Sequence, residues 1–252
     1  MSPSPERVIA LTRVALLGLG LGIAALVGWG NSPWWAFPAL CVGTFVTERA
    51  SARIAVGRQG ATFALNDAVM AVAFLLAPGG WVAVAAVLGY VLAKVGRRPW
   101  VKVSFNAAQQ FFAVAAALLV AQALPDGIGA AAAGLGTYAL LNSLVVAIPI
   151  AATSDVSYGR VLVAIGPLGI VHTAGNASVG LLAGWLAVHA PLGLLGLIVP
   201  VGLLWWSYEQ QTRRASEAQL FEELAQGQER VAGGTVDASA QVVVTAAARL
   251  FG

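Results

Sequence analysis

The sequence predicts an all-α integral membrane protein of about eight transmembrane helices with a cytoplasmic helical tail. Three observations lead there. Of 252 residues, 59% are apolar and only 10% charged, against a usual ~45–50% and ~25% in soluble domains. A chain of this size cannot bury that much apolar surface in one aqueous core, and the mean hydropathy of +0.81 points to the bilayer. The charge is also segregated: residues 1–207 carry ten Lys/Arg and five Asp/Glu, whereas residues 208–252 carry four and six. Finally, the apolar runs recur at lengths suited to a ~30 Å hydrocarbon core at ~1.5 Å per residue.

In chain order the expected spans are 8–29, 33–47, 63–77, 81–95, 103–123, 128–150, 161–188 and 191–207. The second opens at Pro33 with Trp34 and Trp35 and ends at Glu48-Arg49. The third and fourth form a helical hairpin about Pro78-Gly79-Gly80, either as two short spans or as a partly re-entrant pair. Between the second and third, residues 48–62 are too polar to span. Ile54 and Val56 alternate there beside Gly57 and Gly60, as in a short hairpin or surface loop. Prolines 38, 149 and 200, and Gly166-Pro167, are expected to kink or break their helices. Gly18/Gly22 and Gly180/Gly184 offer small-residue spacings suited to close helix contact, including dimer contact.

Charge sets the orientation. With both termini cytoplasmic, the inner connections and the residues flanking them hold Arg49, Arg53, Arg58, Arg97, Arg98, Lys102 and Arg160. The outer ones, 30–32, 78–80, 124–127 and 189–190, hold no Lys or Arg. Merging the Pro78 hairpin into one span would put Asp126 on the side of the arginines. Trp29, Trp34, Trp35, Trp81 and Trp185 fall at outer boundaries, and Trp100, Trp205 and Trp206 at inner ones, as anchors at the headgroup level. This is the pattern of a multi-pass protein of a bacterial inner (plasma) membrane. The first apolar run is too long for a cleaved signal. The basic pI of about 9.4 is explained by topology, not by nucleic acid.

Three regions follow: a membrane domain over 1–207, a connector helix over 208–232 and an amphipathic helix over 233–252. In the connector, Ala218, Phe221, Leu224 and Ala225 share one face, which suits parallel homodimer contacts within 208–230. Asp237 can cap the last helix, whose stripe of Val242, Val243, Ala246, Ala247, Leu250 and Phe251 needs a partner surface. It reads as the start of a truncated domain.

No catalytic motif is present: there is no GxSxG, HExxH, GxxxxGK[ST] or CxxC. Cys41 is alone and His172 and His189 are the only histidines, so no metal site and no cofactor is implied. What remains is a set of polar residues inside spans. Asp67, Asn106, Gln109, Gln110, Asn142, His172 and Asn176 are the candidate ligand or switch residues, with Asn66 beside them. Polar groups in hydrocarbon are costly and point into the bundle. Counting from the cytoplasmic ends, Gln110 and Asn142 lie about 12 Å deep, and Asn106, Gln110, Asn142 and His172 are expected to converge. Interhelical hydrogen bonding that only fixes packing, at ~1 kcal/mol per bond, is the structural alternative.

The stretches TFALNDAVMAVAFLLAPGGW, KVSFNAAQQFFAVAAALLVA and TYALLNSLVVAI resemble the polytopic N-terminal input region of bacterial signalling proteins carrying GAF, GGDEF or HD-GYP modules. Residues 60–150 carry the resemblance best, at Asn106, Gln109 and Asn142. It implies a sensory or regulatory input domain, non-catalytic in this chain, that signals through the helix after the last span. The tail resembles the linker and first helix of a GAF-type domain, so a downstream cytoplasmic signalling domain is the implied partner. The chain departs from those proteins in lacking both GGDEF and an HD-GYP motif. The competing reading is a small-molecule transporter or substrate-binding membrane subunit, and a third is an assembly scaffold. A transporter has little use for a connector helix.

Overall fold

The structure is a computed structural model that describes residues 4–30, 33–56, 59–63, 65–154, 156–203, 206–207 and 210, with side chains outside 52–63, 167–168 and 171–172. The connector helix expected at 208–232, its dimer contacts and the amphipathic helix at 233–252 lie outside the described residues, apart from Gln210. The chain divides into two compact units, Met1–Ser51 with Phe63–Val201, and Ala52–Thr62 with Gly202–Gly252.

Among the described residues the first unit contains α1 (Pro5–Val27), α2 (Ala36–Arg49), α3 (Asn66–Leu76), α4 (Trp81–Lys94), α5 (Trp100–Gln122), α6 (Ile128–Thr153) and α7 (Tyr158–His189). A 3-10 stretch, Pro191–Leu197, follows α7. The segment at 52–63 is a two-stranded sheet, β1 (Ala52–Val56) with β2 (Gln59–Phe63). Strands so close in sequence can pair only as a hairpin.

Helix length corrects the count of spans. Among the described residues three helices, α1, α5 and α6, are both long and apolar enough to cross a membrane. Eight full-length spans are not supported. Helices α2 and α4 have 14 residues each and α3 has 11, or roughly 21 and 17 Å of rise against ~30 Å of hydrocarbon. The third expected span is short because residues 59–63 pair as a strand, so helix begins only at Asn66.

The helices close a ring. In spatial order α5, α6, α7, α3, α2 and α4 each pack on the next, α4 returns to α5, and α3 also touches α6 across the middle. Helix α1 lies outside the ring against α5 and α6. The core is built from small residues: Ala83, Ala85 and Ala86 of α4 meet Ala113, Ala115 and Ala117 of α5, with Met70, Phe74, Leu118 and Leu135 filling the remaining volume. Small side chains bring backbones close, and close packing is what joins helices in lipid.

Three junctions depend on glycine. The Gly80 N–H donates to the Gly28 carbonyl at 2.7 Å, and a Cβ on Gly79 would sit 2.5 Å from the Trp29 carbonyl oxygen. The end of α1 is thereby seated on the α3–α4 turn. At Gly89 a Cβ would lie 2.5 Å from the Cys41 carbonyl oxygen, where α4 crosses α2. Gly180 and Gly184 rest on Ala68 and Leu75 of α3. That small-residue spacing is therefore spent within one chain, whereas Gly18 and Gly22 have nothing within 4 Å.

The expected helix breaks do not occur. Pro38 falls in the first turn of α2, where its missing N–H has no partner to lose. Pro149 sits inside α6, and Tyr158 Oη donates to the Leu144 carbonyl at 2.9 Å, tying the start of α7 back to that region. Helix α7 runs on through Gly166-Pro167. Trp81 also departs from expectation. It is 4% exposed and tilts against Phe37, so it packs in the core instead of anchoring at an interface.

Candidate functional site

The first turn of α3 brings two polar side chains into the ring. Asn66 and Asp67 are both buried, and a carboxylate there is favoured by the helix dipole. The Asp67 carboxylate faces the side chain of Thr173 on α7. Asn66 faces the hydroxyl of Tyr138 on α6. Because Gly180 and Gly184 let α7 approach the α3 backbone, Thr173 comes within reach of Asp67. Asn176, one turn beyond Thr173, is 2% exposed and engaged. His172 immediately precedes Thr173 on α7, and its side chain lies outside those described.

A second contact joins α5 to α6, where Gln109 Nε2 donates to Asn142 Oδ1. The expected partner of Asn142 was Gln110. Instead Gln110 is buried, and its Nε2 has no hydrogen-bond partner among the described residues. Asn66 Oδ1 and Thr44 Oγ1 share that condition. Asn106 does not join them. It is exposed and donates to Tyr90 Oη on α4 at 3.0 Å. Of the residues expected to converge, Asn142 pairs with Gln109 and Asn106 with Tyr90, while Gln110 is buried and the His172 side chain lies outside those described.

Helix register relates these groups. Gln109 meets Asn142, Asn66 faces Tyr138 one turn before it on α6, and Asn106 meets Tyr90, the residue after Gly89, which lies on Thr44. Asn66, Gln109, Gln110, Tyr138 and Asn142 therefore form a polar layer about one helical turn deep, with Thr44 buried on α2. Beneath it is a cluster that sequence reasoning missed. Lys94 Nζ binds Glu48 Oε2 at 2.9 Å, the Glu48 carbonyl at 2.8 Å and Ser51 Oγ at 3.1 Å. The side chains are only 12% and 11% exposed. Three acceptors satisfy all three ammonium donors, and the clamp caps the last turn of α2. The available signal was two opposite charges, each ending an apolar run.

Chemically, the layer offers amide and hydroxyl donors and acceptors around one carboxylate. Such a set can hold a small polar ligand, water or a proton. Among the described residues no group of three or more His, Cys, Asp or Glu gathers as a metal site would need. No protein family, curated protein or solved structure matches this chain.

Proposed function

We propose that this chain is a membrane-embedded sensory or regulatory input domain, non-catalytic in itself, in which a change at the polar layer is passed through α7 to the segment that follows it. The observation that carries this reading is the packing of α7 on α3, which sets Thr173 against the buried Asp67 carboxylate. It ties the buried start of α3 to α7, the helix that leads towards the tail. A ligand, or protonation, that favours one arrangement of this pair would shift α7 between two states. In this reading the chain lies in a bacterial inner membrane with eight apolar segments crossing in turn, α2, α3 and α4 as short crossings, and both termini cytoplasmic. The absence of Lys and Arg from the outer connections supports that orientation. The tail would pair two copies through 208–230 and hand the signal to a downstream cytoplasmic domain.

The test is disulfide cross-linking of single cysteines placed along 214–225 in a Cys41→Ala background, in native membranes. The expected pattern is a helical periodicity of yield that changes phase or amplitude with Thr173→Val or Asp67→Asn. A pattern that ignores both variants while the chain still inserts and folds would refute transmission. Solute uptake by proteoliposomes that is lost with the same variants would instead favour the transporter reading.

A further inference from the structure

Two polar levels bracket the bundle, and they are too close together for an ordinary bilayer. The outer level is the seat of α1 on the α3–α4 turn, where Gly80 N–H meets the Gly28 carbonyl. Trp29, Trp34 and Trp35 stand open there, at 65%, 85% and 57% exposure. The inner level is set by two contacts. Arg13 Nη1 donates to Ser104 Oγ at 2.9 Å, and Lys94 is bound to Glu48.

The separation can be read along two independent helices. From Arg13 to Gly28 on α1 the rise is about 22 Å, and from Trp81 to Lys94 on α4 it is about 20 Å. A usual hydrocarbon core is ~30 Å. Long basic side chains often bridge such a deficit by reaching to the headgroups. Here they are committed sideways, Arg13 to α5 and Lys94 to α2 and Ser51. The face between the levels is apolar and open: Val84, Leu88 and Leu92 form a stripe on α4, with Val42 and Val46 beside it on α2.

We infer that the exposed apolar surfaces of α1 and of the α2–α4 pair are interaction surfaces for a thin bilayer, whose acyl chains span about 20–22 Å against them, and that thicker membranes are thinned where they meet them. The inference rests on the bundle lying in a membrane, as proposed above, but not on its transmitting a signal.

The purified full chain can be reconstituted in phosphatidylcholine vesicles of graded chain length: myristoleoyl, oleoyl and erucoyl. Thermal unfolding is followed by reaction of the single native thiol, Cys41, which donates to the Ala85 carbonyl at 3.5 Å in the folded bundle, with a fluorogenic maleimide. The midpoint is expected to be highest in the myristoleoyl lipid and to fall by several degrees at each longer chain. Arg13→Leu with Ser104→Leu removes the inner level on α1 and α5, and is expected to move the optimum towards oleoyl. A wild-type optimum in oleoyl or erucoyl vesicles, or no dependence on chain length, overturns the inference whether or not the double variant folds. Thin-lipid preference combined with tail cross-links that ignore the polar layer leaves the inference standing and removes only the signalling reading.

Discussion

Gly89→Ala is the most direct probe of how the ring is held. An alanine Cβ at this position would stand 2.5 Å from the Cys41 carbonyl oxygen, 2.8 Å from Thr44 Cβ and 3.2 Å from the Phe45 nitrogen. A carbon needs roughly 3.3 Å from a carbonyl oxygen, so α2 and α4 must part by about 0.8 Å. Neither close neighbour is the tip of a flexible side chain, so the helices themselves have to move. A gap of that size forfeits about a quarter to a half of each dispersion contact along the seam. It also stretches the Lys94–Glu48 clamp at the end of the same pair. Overpacking of this kind costs about 1–3 kcal/mol, while the better helix propensity of Ala returns up to ~1 kcal/mol. A net loss of about 1–2 kcal/mol follows, and at roughly 2–4 °C per kcal/mol for a chain of this size the midpoint falls by several degrees. The control is Gly18→Ala, which keeps the propensity gain and meets nothing within 4 Å. Tryptophan fluorescence on heating in detergent micelles compares the two. If Gly89→Ala melts at or above Gly18→Ala, close backbone approach is not what joins α2 to α4.

Two further outcomes test the polar contacts. Lys94→Ala strands a nearly buried Glu48 carboxylate and is expected to cost about 3 kcal/mol, with most of that regained in Lys94→Met/Glu48→Gln; equal losses in both variants would show that the charge pair is irrelevant. A double-mutant cycle of Gln109→Leu and Asn142→Leu is expected to give a coupling of about 1 kcal/mol by reversible unfolding, and zero coupling would mean that the two amides do not meet.

The long helices were legible because their apolar runs outlast a bilayer and are bounded by Gly, Pro or charge. Helices α1, α5 and α6 fall within a few residues of expectation, and so does the hairpin turn at Pro78. The shortness of α3 was not legible. Hydropathy treats Phe63 and Ala64 as membrane residues, yet Phe63 ends a strand, and strand pairing is a long-range choice that a local average does not see. Of the site, the burial of Asp67, Gln109, Gln110 and Asn176 followed from the cost of polar groups in hydrocarbon. Their partners did not, because a rotation of about 100°, one residue along α5, decides whether Asn142 meets Gln109 or Gln110. The Glu48–Lys94 pair escaped for a related reason: each charge looks like an ordinary membrane flank until two distant helix ends are brought together. Gly180 and Gly184 show the same ambiguity, since a small-residue face is identical whether the helix it receives belongs to its own chain or to another.

The seating of α1 on the Pro78 turn bears on the order in which the chain can be built. Helix α1 precedes in sequence both helices it packs on, α5 and α6. Its partner at the outer end, Gly80, emerges some fifty residues later, and the helix covering its length, α5, later still. Until Ser104 is made, Arg13 has no hydroxyl to bind on that helix. Helices α2, α3 and α4 are therefore made between α1 and the helix that covers it. Assembly of this bundle closes from α5 backwards onto α1.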